Sequence, residues 1–362
     1  MLFSFKKTHY LMSRSNIEDY TIGELPLITM VISAYNEEKV IKEKLINITE
    51  LEYPKDKLEV VIASDGSTDQ TNSIIKLFKL KNLKFFELPR MGKVNVLNKI
   101  IPKTNGSILV FSDANTIYNS DALNKLIPNL YDPTVGCVCG RLKLINPNNT
   151  QSGHGESFYW LYETWIKKRE SKLGCVVGAN GAIYAIRKSL FDKMPSNTIN
   201  DDFHISMKIL EKGYKVIYES KAIGIEKVAP DFNSEFLRHV RDGAGHYREI
   251  AHLTGLLNPM KGISFFSYVS HRFIRWLVPF LLPVMFFCNL LLIQSSVYME
   301  FFILQLLLYI VTVLTYLLQK NNIPIGYLRI PLFFFSINLA LLIGFIKNIT
   351  GQQDVIWTPT ER

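Results

Sequence analysis

Aspartates stand at the ends of short apolar runs along this chain. Asp65 and Asp113 each follow directly on such a run, and the acidic pair Asp201 and Asp202 comes later, after Asn200. Apolar runs of about four to eight residues that end in Gly, Asn or Asp are typical of buried strands ending in turns. Ligands of an open parallel sheet bind beyond the carboxyl ends of its strands, so Asp65 and Asp113 should reach into one crevice. Carboxylates there can hold a metal ion and a nucleotide sugar.

Strand-like and helix-like segments alternate in the part of the chain that carries Asp65 and Asp113. The helix-like segments have apolar residues at helical spacing, as Ile41, Leu45 and Ile48 do. This alternation predicts right-handed crossovers and an α/β fold with a mostly parallel sheet and helices on both faces. The predicted strands are 27–33, 58–64, 83–88 and 107–112, and the predicted helices are 36–50, 68–80 and 93–101.

Three long apolar stretches follow this α/β region, at 273–293, 301–318 and 330–346. Their lengths approach the ~20 residues that a helix needs to cross ~30 Å of hydrocarbon. As core helices they would need a polar shell, and little polar sequence remains to build one. We therefore predict three membrane-spanning helices. The predicted division is 1–25 as an N-terminal segment, 26–250 as the α/β domain, 251–272 as an interfacial or buried connector, 273–346 as the spans and 347–362 as a tail.

The distribution of basic residues predicts an orientation for these spans. Lys261, Arg272 and Arg275 precede the first span, the first short loop has no Lys or Arg, and Lys320 lies in the second loop. The positive-inside rule then places the α/β domain on the cytoplasmic side of the plasma (inner) membrane, in a multi-pass protein. It does not decide the side of the tail.

Charge and cysteine content exclude other classes of partner. The formal net charge of +9 suits a protein lying on an anionic membrane leaflet. The basic residues are spread out and no helix-turn-helix, zinc-finger or RNP pattern accompanies them, so we expect no nucleic-acid partner. Cys137 and Cys139 alternate in an apparent strand, where they should pack as small hydrophobic side chains rather than bind zinc.

Several ordered motifs together carry a family resemblance. The chain between Pro26 and Arg241 resembles a family 2 glycosyltransferase with the GT-A fold, of the processive-synthase and exopolysaccharide type. The membrane segment and the ending 357–362 are also similar to that group. The motifs are Ser33-Ala34-Tyr35-Asn36-Glu37-Glu38, Ser64-Asp65-Gly66-Ser67-Thr68-Asp69, Gly92-Lys93 with Leu97-Asn98, Asp113-Ala114-Asn115, Gly178-Ala179-Asn180-Gly181, Asp201-Asp202 and Arg238-His239-Val240-Arg241.

The resemblance implies a site for a nucleotide-sugar donor. Asp65 matches the aspartate that contacts the nucleotide base in that family, and Glu37 resembles an acidic residue that supports the nucleotide. Lys93 follows Gly92 at the start of a predicted helix, whose N-terminus could face the diphosphate. Each of these residues has an alternative interpretation. Asp65 could be a turn aspartate, Glu37 an acidic residue favoured by the helix dipole, and Lys93 a solvated lysine. The full predicted donor set is Tyr35, Glu37, Asp65, Lys93, Asp113, Arg238 and Arg241.

Asp113-Ala114-Asn115 matches the metal-binding Asp-x-Asp position of the family, with Asn115 in place of the second aspartate. Mg²⁺ and Mn²⁺ prefer oxygen ligands, and Asn supplies an uncharged carbonyl oxygen. The resemblance therefore implies a divalent cation held by Asp113 and Asn115, which would stabilise the leaving nucleotide. The alternative is an Asx turn that ends a strand.

Asp202 resembles the general base of inverting sugar transfer, which takes the proton of an acceptor hydroxyl. Its neighbour Asp201 is expected to orient the loop or to cap the following helix. Gly178 and Asn180 match the motif on the acceptor side of the site, where we also place Asp201.

The motif of Arg238 and Arg241 departs from the family pattern. Processive synthases carry Gln-x-x-Arg-Trp at this position, but here Arg238 replaces Gln and Asp242 replaces Trp. The missing Trp argues against a cellulose- or chitin-like synthase. A similar run from Arg272 to Trp276 opens the first span, and we interpret it as an interfacial anchor.

The resemblance as a whole implies an inverting, membrane-bound glycosyltransferase (hexosyl or N-acetylhexosaminyl transfer) in cell-surface polysaccharide biosynthesis. Its partners would be a nucleotide-sugar donor, a lipid-linked or growing saccharide acceptor and membrane lipids, with polysaccharide-assembly proteins as further candidates. Two alternatives stay open: a polyprenyl-phosphate glycosyltransferase, and a catalytically silent nucleotide-binding membrane subunit.

Overall fold

A computed structural model of the chain describes residues 25–145, 151–227, 232–321, 323 and 325–356. All but the last residue of the predicted N-terminal segment, and the ending 357–362 that is similar to the family, lie outside these residues.

One mixed sheet forms the centre of the soluble part. Its described strands lie in the order β3-β2-β1-β4-β7-β6-β8-β5. Strands β3, β2, β1 and β4 are parallel, β7 is antiparallel to both β4 and β6, β8 is parallel to β6, and β5 is antiparallel to β8. The mostly parallel sheet that the sequence predicts is therefore confirmed. The strands are β1 (Ile28–Ala34), β2 (Leu58–Asp65), β3 (Leu83–Leu88), β4 (Ile108–Phe111), β5 (Ile117–Tyr118), β6 (Val135–Ile145), β7 (Tyr184–Arg187) and β8 (Lys215–Lys227).

Helices cover both faces of the sheet. Successive residues of a strand point to opposite faces, and in β1 Met30 packs with Leu45 of α1 while Val31 packs with Leu97 of α3, in two separate cores. The described helices are α1 (Ile41–Glu50), α2 (Thr71–Leu77), α3 (Lys93–Ile100), α4 (Ala122–Leu126), α5 (Gln151–Lys172), α6 (Asp201–Glu211), α7 (Phe232–His252), α8 (Ile263–Tyr268), α9 (Ile274–Leu291), α10 (Ser296–Lys320) and α11 (Arg329–Ile349).

Helices α1 and α2 begin later than the sequence predicts. Asn36 has a left-handed backbone, with φ of 53°, which stops a helix from starting there. The backbone N–H of Asn36 donates to Ser67 Oγ at 3.1 Å, and that of Glu37 donates to Thr71 Oγ1 at 2.8 Å. Thr68 N–H in turn donates to Asn36 Oδ1. Side chains that would cap or continue helices instead tie the two loops together at the carboxyl ends of β1 and β2.

Cys137 and Cys139 lie in β6 and are fully buried in the apolar core. Their predicted packing as small hydrophobic residues is confirmed.

Three described helices are long and apolar enough to cross a membrane, at Ile263–Leu291, Ser296–Lys320 and Gly326–Ile349. The protein covers little of their apolar surface, since only 17 %, 11 % and 28 % of the most apolar window of each is buried. The first begins before the predicted span, because α8, a π-helical turn at Val269–Phe273 and α9 continue one another. Part of the predicted connector thus belongs to a helix.

Glycines join α11 closely to α7 of the α/β domain. A Cβ atom on Gly344 would lie 2.6 Å from the carbonyl oxygen of Val240 and 2.7 Å from the backbone nitrogen of Ala244. A Cβ on Gly243 would lie 3.2 Å from Leu341 Cα. The two helix backbones can approach this closely only because both positions lack a side chain.

We expect Gly344→Ala to lower the thermal unfolding midpoint of the detergent-solubilised protein, because the added methyl group would force α7 and α11 apart. Overpacking of this kind costs about 1–3 kcal/mol. Leu339→Phe, which adds bulk at an exposed position of the same helix, is the control and should leave the midpoint in place. Equal midpoints for Gly344→Ala and the unaltered protein would show that the contact does not hold the helices together.

Candidate active site

The carboxyl ends of the central strands open into a cavity of about 330 Å³. Asp113 lies two residues beyond the end of β4, and Asp201 and Asp202 are the first two residues of α6. The predicted site residues that line the cavity are Lys93, Asp113, Asn180, Asp201, Asp202, Arg238 and Arg241. The other predicted site residues, Tyr35, Glu37, Asp65, Asn115 and Gly178, are not among its lining residues.

Lys93 bridges two carboxylates at the start of α3. Its Nζ lies 3.1 Å from Asp113 Oδ1 and 3.3 Å from Asp201 Oδ2. Burial by itself would lower the pKa of Lys93, but Asp113, Asp201 and Asp202 raise it above its ordinary value. The ammonium group therefore stays charged and holds together two acidic segments that are far apart in the sequence. Asp201 faces Lys93 and is the first residue of α6, whose N-cap is Asn200, so the prediction that Asp201 caps the helix is wrong.

Asp202 is positioned by backbone donors. The N–H of Gly181 donates to its Oδ2 at 2.6 Å, and the N–H of Phe203 donates to its Oδ1 at 2.8 Å. Burial, followed by the neighbouring charge of Asp201, raises the pKa of Asp202 to about 7. A carboxylate with a pKa near the working pH is well suited to take and release a proton.

The segment 178–181 brings Asp202 and Asp113 to the same place. A Cβ atom on Gly181 would lie 3.4 Å from Oδ2 of Asp113 and equally far from Oδ2 of Asp202. Gly178 has a φ of 94°, which favours glycine, and Asn180 closes the turn by accepting the N–H of Ala182 at 3.1 Å. The two carboxylates thus converge on one small volume.

A second group of predicted donor-binding residues lies at the ends of β1 and β2. Asp65 is 1 % exposed and accepts the backbone N–H groups of Met91 and Gly92 together with Nη1 of Arg90. The Arg90 guanidinium lies 3.4 Å from the ring centroid of Tyr35. Asp65 therefore holds the loop before Lys93, with an arginine stacked on an aromatic ring beside it. The nucleotide-binding roles of Tyr35, Glu37 and Asp65 stay predictions.

The segment that carries Asp113 and Asn115 rests on a buried lysine. Lys44 of α1 donates to Ser112 Oγ at 2.7 Å and to the carbonyl oxygen of Thr116 at 2.6 Å, and burial lowers its pKa to about 7. The sequence analysis missed this residue. Lys44 lies on the buried apolar face of α1, between Ile41 and Ile48. A lysine at such a position in the sequence could have indicated a buried cation with polar partners.

The donor set around Asp113 fits a hard divalent cation. The carboxylate oxygens of Asp113 and Asp201 converge on one cationic group, the Lys93 ammonium, so this place favours positive charge. All the side chains that would bind are oxygen donors, which Mg²⁺ and Mn²⁺ prefer. Asp113 is therefore chemically suited to the predicted metal, and Lys93 would have to shift its contact with it. Asn115 is not among the residues that line the cavity, and its metal-binding role stays a prediction.

Arginines from two regions of the chain also line the cavity. Arg238 and Arg241 lie on α7, whereas Arg272 and Arg275 lie within the first apolar helix, in its π-helical turn and at the start of α9. Glu163 of α5 binds Arg272 Nη2 at 3.3 Å and also binds Arg275. The donor-binding role of Arg238 and Arg241 stays a prediction. The cavity lining contains two further guanidinium groups, those of Arg272 and Arg275.

The interpretation of the run from Arg272 to Trp276 as an interfacial anchor is wrong. Trp276 is 1 % exposed, lines the cavity and stacks on His246 with ring centroids 5.0 Å apart. Burial of Glu163 by itself would raise the pKa of that carboxyl, but Arg272 beside it helps to hold the pKa well below its usual range. A buried anion inside the domain, which no local pattern reveals, turns these residues inward.

A separate polar cluster ties α6 to α7. Glu249 Oε2 accepts a hydrogen bond from His204 Nδ1 at 2.7 Å, and Glu249 Oε1 lies 3.3 Å from His252 Nδ1. One ligand atom from each of the three residues lies within 4.8 Å of the others. None of these three residues lines the cavity. The cluster therefore joins α6, the helix that carries Asp202, to α7 at a place outside the cavity.

The fold and the cavity together define an α/β protein with a carboxylate-lined site at the ends of parallel strands. Residues 29–194 match the family model "Glycosyl transferase family 2". The match ends before Asp201, so α6 to α11 lie beyond it. The resemblance drawn from the motifs is confirmed, because this part of the chain matches the glycosyl transferase family 2 model.

Curated relatives match somewhat more than half of the chain. A probable glycosyltransferase YdaM of Bacillus subtilis is 27 % identical over 235 residues, which cover 60 % of this chain and 55 % of YdaM. A poly-beta-1,6-N-acetyl-D-glucosamine synthase of Staphylococcus aureus is 30 % identical over 211 residues, covering 57 % of this chain and 51 % of the synthase. The chain thus spans about half the length of these relatives.

A solved structure extends the likeness to most of the chain. The mannosyltransferase PcManGT from Pyrobaculum calidifontis, in complex with GDP-Man and Mn²⁺, superposes with a TM-score of 0.58 at 21 % identity. The superposition covers 91 % of this chain and 89 % of that one. The likeness confirms the predicted GT-A type of fold, including its continuation into the apolar helices.

Proposed function

We propose that this protein is an inverting glycosyltransferase that moves a sugar from a nucleotide diphosphate to an acceptor hydroxyl at the cytoplasmic face of a membrane. The observation that carries the proposal is the convergence of Asp113 and Asp202 on Gly181, inside a cavity that also contains Lys93 and several arginines. Sugar transfer needs a general base, cationic groups that bind the diphosphate, and space for a sugar between them. The cavity offers a carboxylate, the ammonium and guanidinium groups, and that space.

Asp202 acts as the general base. Its carboxylate takes the proton of the acceptor hydroxyl while the hydroxyl oxygen forms a bond to the anomeric carbon. On the opposite side the bond from that carbon to the phosphate oxygen breaks, and the nucleoside diphosphate leaves with the electron pair. Attack opposite the leaving group inverts the anomeric configuration. The Gly181 N–H, 2.6 Å from Asp202 Oδ2, keeps the base turned toward the cavity.

Asp113 and Asn115 would hold the divalent cation. When bound, the cation neutralises charge on the leaving diphosphate. Lys93 also carries charge that suits a diphosphate, because carboxylate neighbours keep its ammonium protonated. Tyr35, Arg90 and Asp65 lie together at the strand ends beside this loop, and we assign them to the nucleoside.

Polysaccharide synthesis at the membrane is the setting we propose. One curated relative is named a poly-beta-1,6-N-acetyl-D-glucosamine synthase, and three described helices are long and apolar enough to span a bilayer. Basic residues flank these helices on the side of the α/β domain, which supports a cytoplasmic site, in reach of nucleotide sugars. The acceptor is a lipid-linked or growing saccharide.

Asp202→Asn should lose transfer while it still binds the donor, because an amide cannot accept the hydroxyl proton. The rate should fall by about 10²–10⁴-fold, as expected for a missing general base. Nucleotide release by purified membranes, measured over a panel of UDP- and GDP-sugars, gives the rate, and nucleotide binding is measured alongside. Asp121→Asn, at an exposed aspartate on another surface, is the control. Unchanged transfer by Asp202→Asn would assign the base elsewhere.

Asp113→Ala should weaken binding of both Mn²⁺ and the nucleotide, because a carboxylate ligand disappears beside the diphosphate. In the unaltered protein, chelator should abolish transfer, and Mg²⁺ or Mn²⁺ should restore it. Isothermal titration with Mn²⁺ in the presence of UDP or GDP measures the binding, with Asp121→Ala as the control. Full activity in excess chelator would contradict a metal-dependent reaction.

Cysteine labelling in intact cells tests the orientation. In a Cys288→Ser background, which removes the exposed native thiol, Ser295→Cys in the first short loop should react with an impermeant reagent from outside. Lys79→Cys, at an exposed position of the α/β domain, should react only after the membrane is broken. The reverse pattern would put the site out of reach of the cytoplasmic nucleotide sugars.

A further inference from the structure

The cavity has an apolar wall that the transfer reaction by itself does not need. Phe333, Ile337 and Leu341 of α11 line it. These residues are spaced four apart, so they form one stripe along a single face of the helix. Because α11 is one of the helices able to span a membrane, this stripe joins the cavity that contains Asp202 to the apolar part of the molecule.

Basic side chains stand beside this stripe, on α7. His239, between Arg238 and Arg241, packs edge-on against Phe333 with ring centroids 6.3 Å apart. One turn further along α7, a Cβ on Gly243 would lie 3.2 Å from Leu341 Cα. The same turns of α7 that carry the two arginines therefore pack against the apolar stripe.

The two surfaces differ in what they can bind. Planar guanidinium groups match the geometry of phosphate oxygens and bind them through paired hydrogen bonds. An apolar stripe on a helix binds a hydrocarbon chain and offers no hydrogen bonds to a sugar. A ligand that satisfies both must carry a phosphate group next to a long hydrocarbon chain.

We propose that the acceptor is a lipid-linked saccharide whose hydrocarbon chain lies along Phe333, Ile337 and Leu341 and whose phosphate is bound by Arg238 and Arg241. This inference rests on the proposed function and names its acceptor. It replaces the donor-binding role predicted for the two arginines, and leaves the donor to Lys93 and the strand-end residues.

The proposed role of Asp202 as general base indicates which group of the lipid accepts the sugar. An ionised lipid phosphate needs no base before it attacks the anomeric carbon, whereas a hydroxyl group does. In the proposed step the O–H bond of the carried saccharide breaks and its oxygen bonds to the anomeric carbon. The proton goes to Asp202, and the nucleoside diphosphate leaves with the electrons of the broken bond. The lipid phosphate serves only for binding to the arginines and does not react.

Binding of lipid probes to the full chain in detergent micelles tests the inference without knowledge of the saccharide. The probes are a polyprenyl diphosphate, the polyprenol of equal length and inorganic pyrophosphate. We expect the diphosphate lipid to bind at least about tenfold more tightly than either of the other two, since each of them lacks one half of the ligand. Equal binding of pyrophosphate would mean that the arginines bind free phosphate groups only.

Variants separate the two halves of this acceptor site. Arg238→Gln and Arg241→Gln should each weaken the diphosphate lipid by about tenfold or more, as expected for a lost charge-assisted hydrogen bond, and leave the polyprenol unchanged. Ile337→Trp should weaken both lipids. The controls are Arg169→Gln on α5 and Leu339→Trp on the exposed side of α11, and neither should change binding.

Nucleotide binding distinguishes this assignment from its competitor. UDP and GDP, with Mn²⁺, should bind Arg238→Gln and Arg241→Gln as they bind the unaltered protein; a loss there, with lipid binding intact, would return the arginines to the donor and overturn the inference. Transfer to a soluble saccharide as fast as to its lipid-linked form would also overturn it, although the proposed function would stand. Lipid binding as described without any sugar transfer would overturn the proposed function alone.

Discussion

Three carboxylates lie close together in this protein, and the ammonium group of Lys93 makes that arrangement stable. Asp113 comes from the end of a strand, while Asp201 and Asp202 open a helix much later in the chain. Without a cation among them, their repulsion and the cost of burying them would force protonation or move the segments apart. Lys93 contacts Asp113 and Asp201 directly, and its position depends in turn on the loop that Asp65 holds through backbone hydrogen bonds.

The same principle recurs elsewhere in the cavity lining, with the signs exchanged. There Glu163 is a buried anion that binds Arg272 and Arg275 of the first apolar helix. The cavity is therefore lined by two clusters of paired charges, one beyond the end of β4 with α3 and α6, and one from α5 and the first apolar helix. The glycine contact between α7 and α11 sets how closely these two helices, which both contribute residues to the cavity lining, approach each other.

An apolar stripe and the carboxylate of Asp202 line one cavity, and in the proposed reaction they would place two chemically different substrates side by side. The nucleotide is polar and comes from water, and the end of the cavity beside Asp113 presents oxygen ligands and an ammonium group to it. The α11 end presents hydrocarbon. The proposed reaction, which joins a soluble donor to a membrane-borne acceptor, needs both environments in one cavity, and a fold that packs a strand-end site against apolar helices supplies them.

The sequence by itself determined the features that depend on local pattern. Buried parallel strands are continuous apolar runs, so β1 to β4, the apolar helices and the strand-end Asp113 were readable, and the ordered motifs identified the family and singled out Asp202. Tertiary structure decided the rest. The roles of Lys44 and Glu163 depend on partners in remote segments, and Arg272 to Trp276 face inward only because Glu163 lies there. Local hydropathy contains no information about such long-range partners. For this reason it predicted that the run from Arg272 to Trp276 lies at the membrane interface.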